Sequence, residues 1–193
     1  MLTGLAEKTR SYRRFEEERR VDPGTLRELV NLARLAPCAA NLQVLRFSMV
    51  TAKEACAGIF RTLRWAGYLE DWDGPEEGER PAAYILVHSP QQEAPYTGID
   101  VGIAAAYMVL GAMERELGAC MLLSFDREAL AGAAGPPSGY ATRLVIALGS
   151  PGERILLETV GKDGNIRYWR DDDGVHHVPK RPLDDLIASN DIR

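Results

Sequence analysis

Three short segments combine residue types that can hold a charged or planar ligand. The first is Lys8-Thr9-Arg10-Ser11-Tyr12-Arg13-Arg14-Phe15. Arg10, Arg13 and Arg14 surround Ser11. Guanidinium forks match phosphate oxygens in pairs, and a hydroxyl adds a donor. The same run also reads as the solvated basic end of a helix, and Glu16 to Glu18 immediately offset its charge. The second segment is APCAANLQ, Ala36 to Gln43. Small side chains let a ligand approach the backbone. Asn41 and Gln43 carry amide donors and acceptors suited to a planar heteroaromatic ring. A plain connecting loop is its other reading. The third is VPKRPLDDLI, Val178 to Ile187. Lys180 and Arg181 precede a proline-started helical turn. Two cations there suit a dianion, or are simply a solvated pair.

Other chemistry finds little support. Cys38, Cys56 and Cys120 lie far apart without a CxxC pair, so neither a disulfide framework nor a thiolate metal site is expected. Such sparse cysteine fits a reducing cytoplasm. The histidines are His88, His176 and His177. An adjacent pair cannot share one helical face, which needs a spacing of three or four, so no metal is expected. No GxGxxG follows a strand, and neither GxxxxGKS nor GxSxG occurs. Trp65 to Pro81 mixes aromatics, acids, Gly and Pro, and reads as a long loop. Its Trp65, Tyr68 and Trp72 are candidates to cover a ligand as a lid and stack on an aromatic substrate, or to bury against the core.

The elements around these segments follow from periodicity. Asp22-Pro23 starts a helix, with Leu26, Leu29, Val30 and Ala33 on one face and Pro37 as its stop. Val44 to Val50 alternates as a strand. Ala52, Cys56, Ile59, Phe60 and Leu63 mark a second amphipathic helix. Ala82 to His88 and Arg143 to Gly149 read as buried strands, and Ala119 to Ser124 as a short one. Ile99 to Leu117 is apolar nearly all round, which predicts a central buried helix ended by Gly118. Asp126 to Ala134 is a weak helix. Ile166 to Trp169 and Val175 to Val178 flank the turn signal Asp173-Gly174 and form a hairpin. Pro182 to Ile187 is a terminal helical turn.

Taken together and in order, these segments resemble the FMN-dependent nitroreductase family. Thr9-Arg10-Ser11-Tyr12-Arg13-Arg14-Phe15 is similar to its RRSxRxF motif, and Ala36 to Gln43 to its APSxxNxQPW motif. Ile99 to Ala105, with Glu116-Leu117-Gly118-Ala119-Cys120, resembles its central DxGxAAQNLLLAAxxxGLGxC stretch. Leu144 to Pro151 resembles VIALGYP, and Lys180 to Leu186 resembles KRPLDEL. The chain departs from the pattern at Thr9, Cys38, Val44, Tyr107 and Leu123, where a leucine stands at a position commonly held by Gly.

The resemblance implies an α+β fold, a central mostly antiparallel sheet flanked by helices, with a long buried helix at a dimer interface. It implies a homodimer with FMN at the interface, reduced by NADH or NADPH. A small acceptor such as a nitroaromatic or quinone then takes the electrons in ping-pong order. Hydride transfer at the flavin N5 needs no protein nucleophile. By the same resemblance Arg10 and Ser11, with Lys180 and Arg181, would hold the phosphate and ribityl side. Arg13 would lie at the flavin pyrimidine edge, where a cation stabilises the charge gained on reduction. Pro37, Cys38, Ala39, Ala40, Asn41 and Gln43 would meet the ring from the partner subunit. The backbone of Leu122, Leu123 and Ser124 would approach its other side. Tyr168, Trp169, His176 and His177 read as edge-strand and dimer-arm residues.

Composition bounds the whole. The chain has 193 residues, 46% hydrophobic and 26% charged, with 23 Lys+Arg against 28 Asp+Glu and a net charge of −5. Those values exclude disorder and low-complexity classes. The length predicts one domain, 1–193, with a lid loop at 65–81 and a hairpin and tail at 165–193. The acidic balance argues against general nucleic-acid binding. The longest uncharged apolar run, Val101 to Met113, has 13 residues, against roughly 20 for a membrane span. No signal peptide is read at MLTGLAEKTRSYRRF, so a cytoplasmic protein without a membrane is expected. Two rival readings stay open: an FMN-binding module with little turnover, and a nucleic-acid-binding protein using Lys8 to Arg20.

Overall fold

Two strands, β2 (Ala83–Pro90) and β4 (Tyr140–Gly149), form the centre of the computed structural model, which describes residues 1–188. Both carry near-continuous apolar runs because both of their faces are covered. Their alternation divides the interior in two. Ile85, Val87, Leu144, Ile146 and Leu148 join Leu26, Leu29, Ala104 and Met108 on one side. Tyr84, Leu86, Val145 and Ala147 join Cys56, Ile59 and Leu130 on the other. The result is a helix–sheet–helix sandwich. The sheet order is β1-β2-β4-β3, with β1 (Arg46–Val50) and β3 (Gly118–Leu122) at the edges and every pairing antiparallel.

Five α-helices accompany the sheet among the described residues. α1 (Leu2–Lys8), which the periodicity does not announce, buries no residue. α2 (Pro23–Leu35) begins as its capping signal predicts: Asp22 Oδ2 accepts from Thr25 N at 3.1 Å. α3 (Lys53–Phe60) and α5 (Arg127–Ala133) pack together on the second face.

α4 (Thr97–Glu114) lies against α2 and β3. It differs from the expected element in two ways. It ends before Gly118: Glu116 adopts a left-handed φ of +58°, and Gly118 opens β3 instead. It is also covered on one face only. Ile99 is 65% exposed, Tyr107 41%, and Gly102 and Ala106 join them on an open apolar stripe. Its all-round apolarity is therefore not accounted for by the core of a single chain. α4 is the one helix among the described residues with the length and hydropathy to cross a membrane, and 44% of it is buried in the core.

A second sheet, order β5-β7-β6, holds the C-terminal part. β6 (Trp169–Arg170) and β7 (His176–Lys180) form the expected hairpin, with Gly174 at φ +75° in its turn. β5 (Ile155–Thr159), parallel to β7, has no strand signature in the sequence. The last five positions of the expected tail, 189–193, lie outside the described residues.

His177 ties this sheet together. Its Nδ1 lies 2.8 Å from Glu158 of β5, and its Nε2 lies 3.0 Å from Asp171 before the turn. Both ring nitrogens face carboxylates, an arrangement that suits the imidazolium. Hydrogen bonds donated to Asp171 and then to Glu158 raise the His177 pKa, and the bond accepted from His177 lowers that of Asp171. The His177 contribution to stability is thus full below its ordinary value of 6.5 and is lost as pH rises through the raised value. The Asp171 contribution is full above its ordinary 3.8 and lost on acidification through the lowered value. Thermal melts of the parent chain and His177→Gln should differ most between pH 3.8 and 6.5 and converge in alkali. A gap that stays constant to pH 10 contradicts the clamp.

Candidate functional site

The segment after α1 runs extended along the edge of β3. Ser11 bridges Ala119 in parallel, and Tyr12 N donates to Ala119 O at 3.0 Å. This alignment turns Arg10, Ser11 and Arg13 toward a cavity of about 340 Å³. The opposite wall comes from the other end of the chain, through Tyr168, His176, Val178 and Lys180. Strand alternation explains the second set, because His176, Val178 and Lys180 share one face of β7. Val109 of α4 and Ala119 and Met121 of β3 form the apolar floor. Among the described residues, none that lines the cavity is acidic. Three cations, the hydroxyls of Thr9, Ser11 and Tyr168, and an apolar floor suit an amphiphilic anion such as an aromatic phosphate ester.

A buried carboxylate supports this wall. The Glu153 side chain is 1% exposed. Its Oε1 accepts from the backbone N–H of Arg13 and of Arg14, the latter at 3.1 Å, and its Oε2 pairs with Arg170 Nη2 at 3.0 Å. Gly152 beside it approaches the Phe15 backbone so closely that a Cβ would meet three main-chain atoms at 2.8–2.9 Å. Gly152→Ala is therefore expected to destabilise by about 1–3 kcal/mol and to weaken ligand retention with it. A melt within 1 °C of the parent excludes this reading.

The second segment forms a separate site. Pro37, Cys38 and Gln43 line a cavity of about 200 Å³ with Asp100 and Ala104 of α4 and with Arg46 of β1. Ala39–Asn41 is a 3-10 turn. Ala40, Asn41 and Gln43 all hold left-handed φ between +46° and +54°, a costly backbone for residues with a Cβ. Asp100 anchors the turn by accepting from Ala39 N at 2.9 Å, while its other oxygen is buried without a partner. Among the described residues, none lines both cavities. Asp100 and Val109 of one helix mark their two levels, about 13 Å apart along its axis.

The remaining candidates are placed as follows. Leu122 is buried in the second core layer, whereas Leu123 is 73% exposed and Ser124 is exposed beside it. Arg181 is exposed and does not line the first cavity. Trp65 is 8% exposed and packs on Phe60, with ring centroids 6.0 Å apart. Trp72 lies beneath Arg170, at 4.3 Å, and beside Arg14, at 5.9 Å. Tyr68 alone reaches toward the first cavity, through Tyr168 at 4.9 Å. Burial pushes Cys56 and Cys120 up to about 11, so both are protonated and unreactive at neutral pH.

Tyr168 and His176 are corrections to the edge-strand reading. His176 is fully buried and Tyr168 lines the cavity. Period-two alternation back from Lys180 carries the signal for His176.

Residues 6–150 match the model of the nitroreductase family. The chain belongs to this family. Solved structures agree on the fold of this nitroreductase-family protein. A protein of Desulfovibrio desulfuricans solved in complex with FMN has 21% identity and a TM-score of 0.70, covering 100% of this chain and 98% of that one. The nitroreductase family protein of Streptococcus pneumoniae TIGR4 has 16% identity and a TM-score of 0.71, covering 98% and 100%. CLA-ER, an enone reductase of gut-bacterial fatty acid saturation metabolism, has 18% identity and a TM-score of 0.66, covering 84% and 93%. No curated protein matches the chain. Family membership supports an oxidoreductase that uses FMN. The matched span ends before β5, so Tyr168, His176 and Lys180 belong to a part of the nitroreductase-family chain outside it.

Proposed function

We propose that the protein is a cytoplasmic, homodimeric FMN oxidoreductase that takes electrons from NADH or NADPH and passes them to a small organic acceptor. The observation that carries this is the convergence of Arg10, Ser11, Arg13 and Lys180 on one cavity from opposite ends of the chain. That donor set fits FMN: Arg10, Ser11 and Lys180 would hold the phosphate, and the apolar floor would receive the rest. When bound, FMN supplies two-electron chemistry that no side chain offers.

The chain's own residues do the binding and orientation. Arg13 would present a fixed cation where a bound flavin gains negative charge. Burial lowers the Arg10 pKa, yet it stays charged through the physiological range, as arginine does. The turn Pro37–Gln43 would cover the ring in the partner's site rather than in its own. Two cavities at two levels of α4, and the open apolar stripe along that helix, support a dimer that closes each site from two chains. Tyr68, stacked on Tyr168, is the aromatic of the loop at 65–81 best placed to meet an acceptor.

A visible spectrum tests the reading. The protein with FMN added should be yellow and should bleach anaerobically with NADH or NADPH. A preparation that stays colourless after FMN addition overturns it. Bound FMN that does not bleach favours a binding module with little turnover.

A further inference from the structure

We propose that His176 is the positioning residue for Arg13, fixing its guanidinium at the wall of the first cavity so that it faces the negative end of the bound ligand. The inference rests on the FMN reading for the identity of that ligand.

His176 Nε2 lies 3.1 Å from Arg13 Nη1. A guanidinium has only donors, so Nε2 accepts and the ring carries its proton on Nδ1. The same Nη1 also donates to Ser11 O at 3.3 Å. The Tyr168 ring lies 4.6 Å from the guanidinium carbon and 5.2 Å from the His176 ring. Glu153 holds the Arg13 backbone. Arg13 is therefore fixed by a nitrogen lone pair, a carbonyl and a π face at once. A long, rotamer-rich side chain is thus ordered before the ligand arrives, which lowers the entropy lost on binding.

The surroundings keep the imidazole an acceptor. His176 is fully buried. Arg13 faces it from the N-terminal segment, Arg170 is its strand partner on β6, and His177 is its neighbour on β7. Tyr168 packs on its ring, and among the described residues Glu153 is the one opposing charge near it. Burial first, then Arg13, push its pKa down to about 4 against the pull of Glu153. A protonated ring would point a donor at a donor and release Arg13.

The test uses the full chain with oxidised and reduced FMN as probes. His176→Phe keeps a ring against Tyr168 and removes the acceptor. His176→Gln restores one through its amide oxygen. The ratio of affinities for reduced over oxidised FMN should fall about tenfold in His176→Phe, the share of one charge-assisted hydrogen bond, or about 30 mV for a two-electron couple. His176→Gln should keep most of it. A His176→Phe ratio equal to the parent's overturns the proposal.

Nitrogen-15 NMR of the histidines in FMN-free protein gives a second readout that does not require FMN or the Phe variant to fold. The Nδ1–H tautomer, neutral at neutral pH, is expected. An Nε2–H tautomer overturns the proposal by itself. A parent chain that binds no FMN defeats the functional reading, while the tautomer still decides the His176–Arg13 pair.

Discussion

Glu153→Ala is expected to lower stability by about 3–5 kcal/mol, the range for breaking a buried ion pair from one side. At this chain length that is a fall in Tm of roughly 6–20 °C. Glu153 is 1% exposed and Arg170 12%, so the guanidinium left behind cannot recover its hydration. Two backbone donors, Arg13 N and Arg14 N, lose their acceptor in the same step. The effect on the site separates from the effect on the fold. Adding Arg170→Leu to Glu153→Ala removes the stranded charge and should recover much of the stability. It does not restore the two backbone bonds, so FMN retention should stay low. Melts by circular dichroism and FMN fluorescence read the two quantities. A Glu153→Ala chain within 1 kcal/mol of the parent means that the network carries no weight.

Arg10→Ala should weaken FMN binding by about 10–100-fold, as loss of one charged hydrogen bond of about 1.5–3 kcal/mol implies. Its one side-chain hydrogen bond among the described residues, to Ala6 O at 2.6 Å, lies within the N-terminal turn, so the fold should persist. Lys180→Ala should act in the same direction, and the double variant should retain no FMN on gel filtration.

The same substitution also tests the two-chain site. Asp100→Ala releases the turn that carries Pro37–Gln43, a defect on the other half-site. If each site combines both halves, a mixed dimer of Arg10→Ala and Asp100→Ala chains holds one doubly damaged site and one intact site. Equal mixing with subunit exchange should restore about a quarter of the parent's bound FMN. Mixing that restores nothing places the whole site within one chain.

Much of this was legible in the residues, for reasons that differ from place to place. Asp22-Pro23 announces α2 because a helix start leaves N–H groups that a nearby carboxylate can satisfy. Ala83–Val87 and Leu144–Leu148 announce central strands because both faces are buried and neither side of the alternation needs to be polar. Arg10, Ser11, Arg13 and Lys180 stood out once their order along the chain resembled a family pattern, since each basic run by itself also reads as a solvated end. β5 did not announce itself. Its five residues are half-buried or exposed on a small outer sheet, and the partner that orders them lies twenty-one positions away in register. α1 buries nothing and leaves no periodic trace.

Glu153 illustrates the deepest limit. In the sequence it is one acid in Pro-Gly-Glu-Arg, an ordinary turn. Its role exists only because the chain's N-terminal segment returns to lie beside it, 140 positions away in sequence. His176 and Tyr168 are similar, since an aromatic and a histidine near a hairpin become a wall only when Arg13 is brought against them.

The sequence by itself determined most of the helices, the central strands and the two basic ends, because periodicity and charge clustering are local properties of the chain. Tertiary structure alone decided which residues of the two ends meet: the resemblance paired both Lys180 and Arg181 with Arg10, and Arg181 does not line the cavity. It brought Arg10 and Lys180 to one cavity, kept Pro37–Gln43 away from it, and left one face of α4 uncovered. Those are facts about long-range register and burial, and no local pattern encodes them.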